Sequence, residues 1–332
     1  MEKPLRVLTW HIHGSYLYYL TQTPCEFYLP VKEGKPEGYG GRSGHFAWGS
    51  NAHDVPVEEV KHLEVDCILF QSRKNYLEDQ YEILSPEQRA LPKIFLEHDP
   101  PREVPTDTRH VVDDPDMLLV HVTHFNNLMW DNNRTPTKVI QHGVVVPQNA
   151  KYTGELEKGI VVINGLSKRG RRLGLDVFEA VRQEVPLDLV GMGSKALGGL
   201  GEIPGPDLPA FIGQYRFFFN PIRYTSLGLA VCEAMMVGLP IVGLATTEMS
   251  VAIKNRESGF VDTNVAVLIE RMKMLLQKPV VARELSKGAQ QAAQRHFNIS
   301  HFTYEWSQTF HQAVRQTTNP TNRRYLWQAE KK

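Results

Sequence analysis

The sequence predicts an α/β protein made of two doubly wound domains, on three observations. The chain has 332 residues, which at about 150 per domain is ample for two separate cores. Short apolar runs, each the length of a strand buried on both faces of a parallel sheet, alternate with segments of helical period. The alternation breaks once, at Pro147 to Lys158 (PQNAKYTGELEK), where a polar stretch with proline and glycine has the composition of an inter-domain linker.

In the first domain, residues 1–150, the strand-like runs are Leu5 to Thr9, Val65 to Gln71, Lys93 to Leu96, Met117 to Val122 and Lys138 to Gln141. In the second, residues 151–304, they are Gly159 to Ile163, Leu187 to Val190, Arg216 to Phe219 and Pro240 to Gly243. Four or five parallel strands in each half imply two Rossmann-like sheets facing across a cleft, with ligands at the carboxyl ends of strands. Between Val31 and Asn51, a stretch dense in glycine and aromatic residues reads as a long functional loop. Val265 to Val314 is helical, with Leu268, Met272, Leu275 and Leu276 on one face and Ala292, Ala293 and Phe297 on another. Its end, from about residue 305 to 332, is expected to pack back on the first domain, with Tyr325, Leu326 and Trp327 as possible anchors of the tail.

Composition excludes several classes. Lysine and arginine number 37 and aspartate and glutamate 37, so no net field draws the chain to nucleic acid or anionic lipid. With 42% hydrophobic and 22% charged residues it is an ordinary globular protein rather than a disordered one. The opening MEKPLRVLTWHIHG lacks the apolar core of a signal peptide, and no run of about 18 apolar residues could span a bilayer. A cytoplasmic protein is expected, with at most peripheral membrane contact. Cys25, Cys67 and Cys232 are scattered without CxxC spacing and read as buried apolar residues.

The densest information lies in residues 216–261. A strand from Arg216 ends at Asn220-Pro221, a helix from Leu227 to Val237 is closed by Gly238 with Pro240 beyond, and Thr225 or Ser226 stands where the N-cap belongs. A helix start just after a strand end presents free N–H groups and partial positive charge, which suits a phosphate. Glu233 follows Ser226 by seven residues and so falls two turns down on nearly the same face. There its carboxylate could accept from the hydroxyls of an adjoining ribose. Together they describe a nucleotide-shaped site.

This segment resembles the retaining nucleotide-sugar glycosyltransferases of group 1, which have the GT-B fold. Their hallmark is two glutamates with seven residues between, then a helix end rich in small residues, Gly-Leu-Pro and a strand. Ser226, Leu227, Gly228 and Leu229, then Glu233, Ala234 and Met235, then Gly238, Leu239 and Pro240 match it, whereas Thr225 stands in place of the earlier glutamate. The resemblance extends more loosely through IVVING, GMGS after LDLV and QHGVVVP. It implies transfer of a sugar from a nucleoside diphosphate donor to an acceptor hydroxyl (of a sugar, a lipid-linked glycan or a small alcohol) with retained configuration, in cell-surface glycan or glycoconjugate synthesis. No metal or other cofactor is implied.

The resemblance also implies roles residue by residue. Lys168 and Arg172, from the run KRGRR between a strand and a helix, would hold the donor diphosphate, where cations offset the charge of the departing group; the bland alternative is a solvated charge run. His98, after the strand KIFL, would face the donor sugar, or is a loop histidine bonded to its neighbours. His13 and Gly14, after the opening strand, correspond loosely to the acceptor-side loop, and the Val31–Asn51 stretch is placed on that side too. Gly191 and Gly193 lie against the nucleotide or simply make a turn. Glu248 touches the base or ribose, or caps the next helix. Asp114-Pro115-Asp116 matches a manganese-binding Asp-x-Asp pattern but reads better as a surface turn. The rival functions are a sugar-nucleotide-binding protein that has lost transfer, its earlier glutamate being Thr225, and an epimerase or phosphorylase on the same architecture.

Overall fold

The computed structural model describes residues 3–318, so Tyr325, Leu326 and Trp327 lie outside the described residues. These fall into two compact units, residues 3–141 rejoined by 299–318, and His142–Asn298. The change of unit thus comes ahead of Pro147 to Lys158, and the return ahead of residue 305. The reason is local pairing: the Val144 N–H donates to the Phe297 carbonyl at 3.1 Å, and His142 bonds the Leu227 carbonyl, so the chain from residue 142 onward is already built into the second unit.

The first unit holds a seven-stranded sheet in the order β3-β2-β1-β4-β5-β6-β7, every pair parallel. Five strands lie in the runs the sequence predicts: β1 (Arg6–Thr9), β4 (Cys67–Phe70), β5 (Lys93–Glu97), β6 (Leu118–His121) and β7 (Thr137–Val139). Two more, β2 (Glu26–Val31) and β3 (Ala52–Pro56), flank the glycine-rich stretch and lengthen one side of the sheet. Pro30 hides β2 from a pattern reading, since proline cannot donate to a ladder. It is tolerated because β1 pairs with β2 only at Glu26, Phe27 and Tyr28. Leu8, Trp10, Ile68, Phe70, Phe95 and Leu119 form the core on this sheet. The helix Ile299–Thr318 buries Phe302, Trp306 and Phe310, an i, i+4, i+8 stripe. Its Trp306 Nε1–H donates to the Tyr16 hydroxyl at 3.1 Å.

The second unit holds a five-stranded parallel sheet in the order β12-β11-β10-β8-β9, formed by β8 (Leu156–Val162), β9 (Leu187–Val190), β10 (Tyr215–Asn220), β11 (Ile241–Leu244) and β12 (Gly259–Asp262). The helix Val265–Gln277 buries the predicted Leu268, Met272 and Leu275 against Val161, Phe217, Phe219 and Val242. All three cysteines are buried, and burial pushes the Cys25 thiol up to about 12 and raises those of Cys67 and Cys232. Among the described residues no helix is long and apolar enough to cross a membrane.

Strand order reverses between β8 and β10 in the second sheet and between β1 and β4 in the first. At such a switch point the loops leaving the carboxyl ends of the two strands diverge and open a crevice where open α/β sheets bind ligands.

Candidate functional site

At the switch point of the second unit, β10 runs into the loop 221–228 and then into the helix Leu229–Val237. Gly228, not Thr225 or Ser226, is the N-cap. Its φ and ψ of −70° and 137° are extended, and its carbonyl accepts from Val231 and Cys232 at 3.0 and 3.4 Å. The later start has a visible cause. Leu227 is buried, and its carbonyl takes the Nε2–H of buried His142 at 2.8 Å, which commits that carbonyl to a partner outside the helix. No side chain caps the helix, and a Cβ built on Gly228 meets nothing within 4 Å, so open space lies before the free N–H groups. Ser226 and Leu229 are half-buried beside it. Glu233 is one turn down and only 8% exposed.

The loop after β8 is locked to this one. Arg223 and Tyr224 donate their backbone N–H groups to the Arg172 carbonyl at 3.1 and 3.3 Å. Gly174 (φ 81°) sits so close that a Cβ would stand 1.9 Å from the Pro221 carbonyl oxygen, an approach that glycine alone permits. Lys168 is exposed at the end of the helix Leu166–Arg169, and Arg172 is half-buried in the turn after it. Two other cations in this loop pair are held by Asp176: Arg223 grips it with two nitrogens at 2.5 and 2.8 Å, and Arg171 reaches it at 2.5 Å. Arg223, foremost, holds the Asp176 carboxyl below its ordinary range. Sequence reading passed over Arg223, although a basic residue just beyond a strand's carboxyl end is the same signal that singled out Lys168.

Gly191 has φ 129°, and a Cβ there would come within 2.4 Å of the Ile163 carbonyl oxygen; its need for glycine is met by the contact between the ends of β9 and β8. Gly193 (φ 75°) faces open space. Glu248 is buried at the N-cap position of the short helix Met249–Ala252, yet its side chain makes no capping bond, which removes the capping alternative. Nearby, the Thr246 hydroxyl donates to the Ile222 carbonyl at 3.0 Å, drawing the loop after β11 to the loop after β10.

The switch point of the first unit gathers the other candidates. His98 follows β5 and is buried; its Nε2 lies 3.0 Å from Oε1 of buried Gln71, and its ring is 4.2 Å from that of exposed His13 and 4.8 Å from Tyr16. Gln71 was read only as the end of an apolar strand; a lone amide closing such a run is the signal that could have marked it. Gly14 opens the helix Gly14–Leu20, where a Cβ would meet His11 Nε2 at 3.1 Å and the Phe46 ring at 3.4 Å. Phe46 stacks on Tyr18, with Trp48 edge-on to both, so the glycine-rich stretch brings a half-buried aromatic group against this edge. Asp114 Oδ1 accepts from the Asp116 N–H at 2.9 Å, closing the turn read from Asp-Pro-Asp.

Residues 157–278 match the family model described as "Glycosyl transferases group 1", a span that covers the β8 loop, the open helix start and Glu233. Over this segment the chain is similar to group 1 glycosyl transferases. A shorter stretch of 73 residues is 32% identical to a trehalose synthase of Pyrococcus horikoshii, a match spanning 22% of this chain and 18% of that protein. The fold is that of GT-B glycosyltransferase structures. The sucrose-phosphate synthase of Thermosynechococcus elongatus superposes with a TM-score of 0.66 at 13% identity, over 94% of this chain and 99% of that one. HepE of Anabaena, solved in complex with UDP-glucose, gives 0.65 at 12% identity over 94% and 100%.

Proposed function

We propose that the chain is a retaining, metal-independent glycosyltransferase that moves a sugar from a nucleoside diphosphate donor to an acceptor hydroxyl, in the synthesis of a cell-surface glycan or glycoconjugate. The observation that carries this reading is the uncapped, open start of the helix Leu229–Val237 at a switch point, with buried Glu233 one turn below. The free N–H groups and the helix dipole suit a diphosphate. The Glu233 carboxylate suits a ribose diol, which donates two hydrogen bonds. Lys168 and Arg172, on the loop tied to this one, offset the negative charge that grows on the leaving nucleoside diphosphate. For His98 the proposed role is an imidazole nitrogen offered to a sugar hydroxyl.

HepE was solved with UDP-glucose, so UDP-glucose is the first donor to try. The test is incubation with UDP-, GDP- and ADP-sugars, with and without EDTA, following nucleoside diphosphate release and the anomeric configuration of the product by NMR. Release at a rate EDTA leaves unchanged, with retained configuration, supports the reading. Inversion removes the retaining assignment, and activity restored by manganese would bring Asp114 and Asp116 back. Thr225, where the related enzymes carry a glutamate, favours one second reading, a protein that binds the donor without transfer; tight binding with no release would establish it.

A further inference from the structure

His98 receives its proton pattern from a chain of donors that begins in the sheet. The Thr9 hydroxyl donates to the Leu69 carbonyl at 2.9 Å, so its one proton is committed and its oxygen can only accept. Gln71 Nε2 lies 2.8 Å from that oxygen and 2.9 Å from the Trp10 carbonyl, which can also only accept. Both amide protons of Gln71 are thereby used, and the orientation of the amide is fixed twice over. Its Oε1 therefore faces His98 Nε2 at 3.0 Å, and two lone pairs meeting there would repel, so Nε2 must bear the hydrogen. Thr9, Gln71 and His98 are all buried, which makes an unmatched polar contact costly.

We infer that Gln71 is a positioning residue that fixes His98 as the Nε2–H tautomer, so that Nδ1 carries the lone pair and, toward a substrate hydroxyl, can act only as acceptor. The use of Nδ1 on substrate rests on the glycosyltransferase reading; the tautomer does not. Two rings pack against the His98 imidazole. His13 and Tyr16 face it from the chain after β1. Tyr16 accepts from Trp306, and burial raises its pKa, so it stays a neutral phenol. Glu97, the preceding residue, turns its carboxylate to the Asp99 N–H at 2.9 Å and to His110 Nε2 at 3.2 Å.

The experiment is two-bond proton–nitrogen correlation NMR on full-length protein labelled with 15N-histidine, the His98 ring being assigned by its absence from His98→Gln. Above the ring's titration, the expected pattern is a protonated Nε2 and a bare Nδ1. Gln71→Glu places a carboxylate opposite Nε2–H and should raise the His98 midpoint by at least about one pH unit, a tenfold change in the protonation equilibrium; the acid limb of the kcat profile should move with it. An Nδ1–H tautomer in the wild type, or an unchanged midpoint in a folded Gln71→Glu protein, overturns the inference. Should Gln71→Glu fail to fold, because glutamate cannot donate to the Trp10 carbonyl, the wild-type spectrum decides alone. A chain that transfers no sugar would sink the functional reading while leaving the tautomer measurable.

Discussion

Gly174 lies against Pro221 so closely that a Cβ would stand 1.9 Å from the proline's carbonyl oxygen. Gly174→Ala must therefore push the two loops of the second switch point apart as well as adopt a positive φ. Strain of about 1–2 kcal/mol per left-handed residue and overpacking of about 1–3 kcal/mol act together. We expect a loss of at least about 2 kcal/mol, read as a lower urea midpoint, and a matching loss of donor affinity. Gly228→Ala is the contrast, since φ is −70° and the space before it is open; its cost to stability should stay below about 1 kcal/mol. An equal cost at both positions would mean that the helix start is packed rather than open.

Glu233→Gln should weaken donor binding by about 1.5–3 kcal/mol, since an amide replaces only part of a charge-assisted pair of bonds to a diol. Calorimetric titration with UDP-glucose measures it. Affinity within twofold of the wild type would remove Glu233 from the site.

These two residues mark how far the sequence could be read. Glu233 was legible because helical period alone places it below the helix start, and nine of the twelve strands among the described residues lie in or at apolar runs that period-based reading catches. Gly174 carries no local signal of its role, because that role depends on Pro221, far off in the chain. The helix start was misread by a few residues for the same reason: the partner of Leu227 is His142, from the chain just past the change of unit. β2 was missed because Pro30 argues locally against a strand, and only the register with β1 explains why it is allowed. Likewise Gln71 carries no local signal of its link to His98.

Neutralising Lys168 and Arg172 together, as Lys168→Met with Arg172→Met, should reduce turnover at least tenfold while moving the urea midpoint little. Cations at a solvent-facing loop add little to stability but strongly favour a departing diphosphate. Turnover equal to the wild type would return the run to a solvated surface role.

Asp176 links stability to acid. Its carboxyl is held below its ordinary value by Arg223 first, with Arg171 adding to it. A lowered native pKa means that the stabilisation is present above the unfolded-state value, near 4, and disappears as pH falls through the native one. The carboxylate is substantially exposed, at 44%, so the contribution is about 1 kcal/mol or less. Urea midpoints of wild type and Asp176→Asn should differ at pH 7 and draw together as pH falls below the unfolded-state value and through the lowered native one. A gap that stays constant across that range would assign the effect of the substitution to something other than the ion pairs.

Thr225 stands where the resemblance to group 1 glycosyltransferases implies a glutamate, and the structure removes one reason for its being threonine. As an N-cap it would hold a backbone N–H, and Thr225→Glu would cost about 1 kcal/mol; with Gly228 as the cap, that cost does not arise. Thr225 is half-buried in the loop that leads to the helix start, three residues ahead of the N-cap Gly228. A glutamate there offers two acceptor oxygens to sugar hydroxyls, while threonine offers one short hydroxyl. Thr225→Glu should therefore leave the urea midpoint close to wild type and either raise turnover with common hexose donors or reorder donor preference. Specificity constants for both proteins over a set of UDP- and GDP-sugars measure it. The same ranking and the same rates would show that residue 225 does not reach the donor, and the motif would then have to be aligned through Glu233 alone.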